Sequence, residues 1–171
     1  MITWKRSGHK TKRYDLWIST CGKFFKKSCC VDTHGRKVMA MLKNEADAMK
    51  LIQQDEKINK IQKCIDINLS EHDGYIVSEY VGLNITYRTV PSDYDEQLKI
   101  IDNSLLYMVS KYGLYHNDVL PRNFFVLSNS ITLIDFDLST IGKPSRRTKE
   151  RPQFNTCQLM REKINNRWKI Q

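Results

Sequence analysis

Tyr115-His116-Asn117-Asp118-Val119-Leu120-Pro121-Arg122-Asn123, followed by Leu133-Ile134-Asp135-Phe136-Asp137, is the stretch on which the reading of this 171-residue chain turns. It contains the spacing H-x-D-x-x-x-x-N. Twelve residues after that Asn, an apolar run ends in Asp135-Phe136. Taken alone, the first pattern also fits a hairpin in which Asp118 and Asn123 merely cap a turn, since short polar side chains bond their own backbone there. The ordered set of Asp118, Asn123 and Asp135 is harder to account for that way. It supplies one acidic group to orient a hydroxyl, and two oxygen ligands able to hold a hard cation on phosphates.

The pattern around this stretch is orderly. Ile2–Arg6 and Arg13–Ser19 read as two strands around the turn Ser7-Gly8-His9-Lys10, with Tyr14, Leu16 and Ile18 alternating. Lys23–Cys30 reads as a third strand, and Asp32-Thr33-His34-Gly35 as a break. Val38, Met41, Leu42, Glu45, Met49 and Ile52 recur at helical spacing, which predicts a helix near residues 37–53. Residues 62–67 and 74–81 read as strands split by a polar turn. Leu98, Ile101, Leu105, Met108 and Val109 mark a helix near 93–112. Phe124–Leu127 and Ile131–Asp135 form a hairpin, Lys143–Pro152 reads as a mobile basic loop, and Cys157, Met160, Ile164 and Trp168 line one face of a last helix.

In its motifs and in this element order the chain resembles the protein-kinase-like superfamily. The resemblance implies an α+β fold, with a small N-terminal antiparallel sheet lobe carrying one helix and a truncated helical C-terminal lobe. It covers roughly residues 1–140 of a single domain, divided into 1–80, a catalytic part 81–142 and a basic tail 143–171. It implies ATP and Mg²⁺ as cofactors, Asp118 as catalytic base, Asn123 and Asp135 as metal ligands, and His116 as a structural support for the loop. Phe24-Phe25-Lys26-Lys27 resembles the V-A-I-K strand. We assign Lys26, nineteen residues before Glu45, as the lysine that pairs with Glu45 and holds the ATP phosphates; Lys27 is the rival, because neighbouring strand residues face opposite ways. Val77-Ser78-Glu79-Tyr80-Val81-Gly82 resembles the hinge, whose backbone at Glu79 and Val81 would bind adenine.

Three departures stand out. Only Gly8 remains of the Gly-rich loop, so phosphate cover would fall to His9, Lys10 and Lys12. The D-F-G triplet reads Asp135-Phe136-Asp137, which keeps the ligand but restricts the backbone and adds a carboxylate. The lysine that protein kinases usually place two residues after the base is Leu120 here. RIO kinases, the small kinase of the KEOPS complex, and the aminoglycoside and choline kinases share such liberties; Pro121 is most similar to the aminoglycoside phosphotransferase pattern. After Asp137 only 34 residues remain, too few for a full peptide-docking platform.

Charge is unevenly placed: +9 over residues 1–43, −7 over 44–142 and +7 over 143–171. Basic ends suit phosphate-rich partners, either nucleotide, nucleic acid or an acidic protein, through both terminal segments. Five cysteines without C-x-x-C spacing predict reduced thiols in a cytoplasmic protein. No signal-like or membrane-spanning apolar run occurs in the sequence. The reading is therefore a minimal, atypical serine/threonine protein kinase. A catalytically weak nucleotide-binding pseudokinase, an RNA-associated ATPase scaffold and a small-molecule kinase stand as alternatives.

Overall fold

The structure, a computed structural model, describes residues 2–7, 13–86, 88–151 and 155–168, with residues 167 and 168 as backbone only. It is α+β and divides into two compact units, Met1–Gln53 with Lys63–Tyr80, and Gln54–Gln62 with Val81–Gln171.

The first unit is built on an antiparallel sheet of β1 (Trp4–Arg6), β2 (Asp15–Ser19), β3 (Phe24–Cys30), β4 (Cys64–Leu69) and β5 (Asp73–Glu79), in the order β1-β2-β3-β5-β4. Two helices follow β3. These are α1 (Val31–His34), where sequence reading expects only a break, and α2 (Arg36–Ile52). Gly35, at φ 85, makes the turn between them, a backbone region that costs glycine nothing. Helix α2 lies against β3, β4 and β5. It buries Met39, Leu42, Ala46, Met49 and Ile52, and each large apolar side chain so removed from water contributes about 1.5–3 kcal/mol. Glu45 lies in the same buried stripe. A carboxylate there requires a partner.

Strand β3 decides the lysine assignment. Lys26 stands opposite Trp17 and Val77, whereas Lys27 stands opposite Leu16 and Ile76. The side chain of Lys27 reaches Glu45, with its ammonium 2.7 Å from Oε2. Lys26 lies on the other face, where its ammonium sits 5.0 Å from the Trp4 ring, 5.4 Å from Trp17 and 5.7 Å from Tyr75. The assignment of Lys26 as the partner of Glu45 is therefore corrected to Lys27. The physical reason is strand parity: Lys27 shares its face with the buried Cys29, toward α2, and Lys26 does not.

The second unit holds, in chain order, β6 (Leu83–Asn84), α3 (Tyr94–Tyr112), β7 (Leu114–Tyr115), a 3₁₀ turn at Pro121–Asn123, β8 (Phe124–Leu127), β9 (Ser130–Leu133), β10 (Thr140–Ile141), α4 (Arg146–Glu150) and α5 (Gln158–Lys163). Strands β6, β8 and β9 form one small sheet, and β7 pairs with β10. Leu98, Ile101, Leu105 and Met108 of α3 are buried, and Gly113 ends that helix in the left-handed conformation. A Cβ on Gly82, at φ 91, would stand 2.0 Å from the Val126 carbonyl oxygen, so only glycine lets the chain enter β6 beside β8.

Expected elements of this unit also differ from the structure. The predicted strand to Asp135 stops at Leu133, because Asp135 takes a positive φ of 73 and leaves the extended region. The predicted loop 143–152 contains α4, nucleated by Ser145, whose hydroxyl accepts from the Thr148 amide. Beyond it, Cys157, Met160 and Ile164 are buried as the periodicity predicts, while the side chain of Trp168 lies outside the described residues. Arg161 fastens α5 to α3 through Asp95 at 3.0 Å and Asp102 at 2.7 Å. Among the described residues no helix is long and apolar enough to cross a membrane.

Candidate active site

The loop between β7 and the 3₁₀ turn is held from inside. His116 is fully buried. Its Nδ1 accepts from the Asp118 amide at 3.3 Å, its Nε2 faces the Ile134 carbonyl at 3.1 Å, and its ring lies 4.5 Å from that of Phe136. An acceptor at Nδ1 and a donor at Nε2 define a neutral imidazole. Burial pushes its pKa below the ordinary value, outweighing the opposite pull of Asp135 and Asp118. The sign follows directly. As pH falls below about 6.5 the unfolded chain takes up a proton that the folded one refuses, so stability should fall by up to about 1.4 kcal/mol per pH unit. Urea midpoints measured from pH 7 to pH 5 should show that slope, and His116→Gln should flatten it. An unchanged slope in the variant would remove His116 as its source.

Asn117, at φ 62, turns the chain between His116 and Asp118. Its amide donates to the Leu138 carbonyl at 3.0 Å and to the Thr140 hydroxyl at 2.9 Å. Its oxygen accepts from the Thr148 hydroxyl at 2.6 Å and the Ser145 amide at 3.3 Å. One side chain thus ties the loop to β10 and to α4.

Asp118 is 1% exposed. Its Oδ2 accepts from Arg122 at 2.5 Å and from the Asn123 amide at 3.0 Å, and that same amide also reaches the Asp118 carbonyl at 2.8 Å. Its Oδ1 is buried and has no hydrogen-bond partner. Arg147 stands 3.6 Å from it, a charge contact beyond hydrogen-bond length. A buried carboxylate oxygen left this way is costly.

Asp135 follows Ile134, whose amide bonds the Asn123 carbonyl at 3.0 Å and whose carbonyl faces His116. The backbone thereby sets Asp135 near the Asn123 loop, in a left-handed conformation that a non-glycine residue adopts only when its surroundings impose it. Phe136 and Asp137 are buried. The second unit therefore brings Asp118 and Asn123 into direct contact, and places Asp135 through backbone bonds. In the first unit Lys27 and Glu45 form a nearly dry ion pair, 13% and 3% exposed. Glu79 ends β5, and Val81 opens the second unit's long segment. Gly8, His9, Lys10 and Lys12 lie outside the described residues.

Sequence reading missed Asn117 and Arg122 as parts of this site, and took Arg147 only as one cation of a basic segment for an acidic or phosphate-bearing partner. Arg122, four residues after Asp118, was open to inspection in the motif itself. The approach of Arg147 to Asp118 had no local signal, because it depends on the fold of α4 against Asn117.

No family model matches the sequence, and no curated protein matches it. Solved structures do: 1658 chains match, so the fold is widely shared and by itself selects no substrate. One is a crystal structure of the kinase domain of PF14_0431, similar with a TM-score of 0.63 and 19% identity over 85% of this chain and 53% of that one. This chain spans about half the length of that domain. The fold is protein-kinase-like.

Proposed function

We propose that this protein is a minimal, atypical phosphotransferase that uses Mg²⁺ and ATP, with a serine or threonine hydroxyl of a protein as acceptor. The observation that carries the reading is Asp118 Oδ1, a buried carboxylate oxygen without a hydrogen-bond donor, on the residue that the motif nominates as base. An acceptor hydroxyl would supply that donor. As its oxygen forms the new bond to the γ-phosphorus, the bond from that phosphorus to the β–γ bridging oxygen breaks and ADP leaves with the electron pair. The hydroxyl proton passes to Asp118 and then to solvent.

The donor set fits a magnesium ion. Asn123 turns its amide nitrogen to Asp118 and would offer its oxygen, and Asp135 would add a carboxylate. One or two such ligands, with phosphate oxygens and water, suit a cation that keeps much of its hydration. When bound, Mg²⁺ neutralises charge on the phosphates. Lys27, in place of Lys26, would hold the α- and β-phosphates, with Glu45 fixing its ammonium. The backbone at Glu79 and Val81 would receive adenine. All five cysteines are free thiols, which supports a cytoplasmic setting.

The test is transfer of label from γ-labelled ATP to the chain itself and to a protein mixture. Label on serine or threonine that disappears with EDTA is the expected result. Absence of any Mg²⁺-dependent nucleotide binding would overturn the reading.

A further inference from the structure

The acidic base is not alone at the place where an acceptor oxygen would sit. Arg147 stands 3.6 Å from Asp118 Oδ1, the same oxygen that lacks a hydrogen bond, and its side chain is 48% exposed. Arg122, 59% exposed, holds the other oxygen. A hydroxyl bonded to Oδ1 would have the Arg147 guanidinium as its immediate neighbour.

That position is built into the fold. Helix α4, which carries Arg147, is capped by Ser145, and Thr148 is buried with its hydroxyl 2.6 Å from the Asn117 oxygen. Thr140, which accepts from Asn117, in turn bonds the Lys143 carbonyl at 2.6 Å. The arginine is therefore carried by an element anchored on the residue next to the base. Around it, residues 143–151 contain Lys143, Arg146, Arg147, Lys149 and Arg151 against Glu150, with Arg146 paired to Glu150 at 2.8 Å. That is five cations against one carboxylate in nine residues. Such a run suits an acceptor that is itself anionic close to its hydroxyl, because guanidinium groups recognise carboxylate and phosphate through paired N–H donors.

We propose that Arg147 is a specificity-determining residue that selects a serine or threonine lying within a residue or two of a carboxylate or phosphate in a protein segment. The proposal rests on the phosphotransferase reading above, and deepens it.

The test uses the full chain, Mg²⁺, labelled ATP and three synthetic peptides that share one serine. One has neutral flanks, one has aspartates at the adjacent positions, and one has lysines there. Wild-type protein should use the acidic peptide at least about tenfold better in kcat/KM, mostly through KM. Arg147→Ala should bring the acidic and neutral peptides to near equality. Arg147→Glu should move the preference toward the lysine peptide. An equal loss with all three peptides would overturn the proposal and make Arg147 a support for Asp118 or for the transferred group. So would a wild type that transfers equally to neutral and acidic peptides, or one that labels an RNA oligonucleotide in preference to the acidic peptide. ATP affinity, measured separately by calorimetry, keeps the two readings distinct. A protein that does not bind Mg²⁺–ATP fails as a phosphotransferase, whereas one that binds it and ignores peptide charge fails only here.

Discussion

Asp118→Asn is expected to lower phosphate transfer by about 10²–10⁴-fold, the usual contribution of a positioned general base. ATP affinity should stay within about twofold of wild type. The substitution is nearly isosteric. One oxygen remains to accept from Arg122 and from Asn123, which hold the present Oδ2 at 2.5 and 3.0 Å. An amide nitrogen then occupies the place of Oδ1, where it donates instead of accepting and offers nothing to a hydroxyl proton. Arg122 loses a charged partner but is more than half exposed, so water and salt take up its charge and the stability change should stay within about 1 kcal/mol. Initial rates with labelled ATP, nucleotide titration by calorimetry, and a urea midpoint separate the three effects. Wild-type turnover in the variant would remove Asp118 from the chemistry, whatever the fold.

The order of elements was legible in the sequence because it rests on long periodic segments. The stripes from Met39 to Ile52 and from Leu98 to Met108 each bury a face, and burial is what makes period 3.6 visible. Elements that bury little were not legible. Strands β6, β7 and β10 are two residues each, and α4 buries Thr148 alone, so neither carries a period. The loop motif gave Asp118 and Asn123 through spacing alone, and the structure brings them into contact. It gave no sign of Asn117, whose work is long-range: its partners stand 21 to 31 residues away in sequence. Arg147 is the same kind of case. A charge that lies 29 positions from its carboxylate belongs, in sequence, to a basic run like any other. Strand register misled in a different way, because two adjacent lysines differ only in which face they share with distant neighbours.

That register carries the last expected result. Lys26→Met should leave ATP affinity unchanged and cost about 1 kcal/mol of stability, since it removes only a cation resting over Trp4, Trp17 and Tyr75. Lys27→Met should be far more damaging, for two separable reasons. It strips the carboxylate of Glu45, 3% exposed, of the ammonium that balances it, and breaking a buried pair from one side costs about 3–5 kcal/mol. It also removes the cation proposed to hold the ATP phosphates. A double variant, Lys27→Met with Glu45→Gln, distinguishes them. A neutral pair of similar volume needs no counter-charge, so most of the lost stability should return. Nucleotide affinity should not return with it, because no cation has been restored. Urea unfolding and ATP titration of the two single variants and the double variant give the whole comparison. Recovery of both stability and affinity in the double variant would leave the ion pair as a structural device only. A larger loss of affinity in Lys26→Met than in the double variant would reject Lys27 as the phosphate-binding lysine.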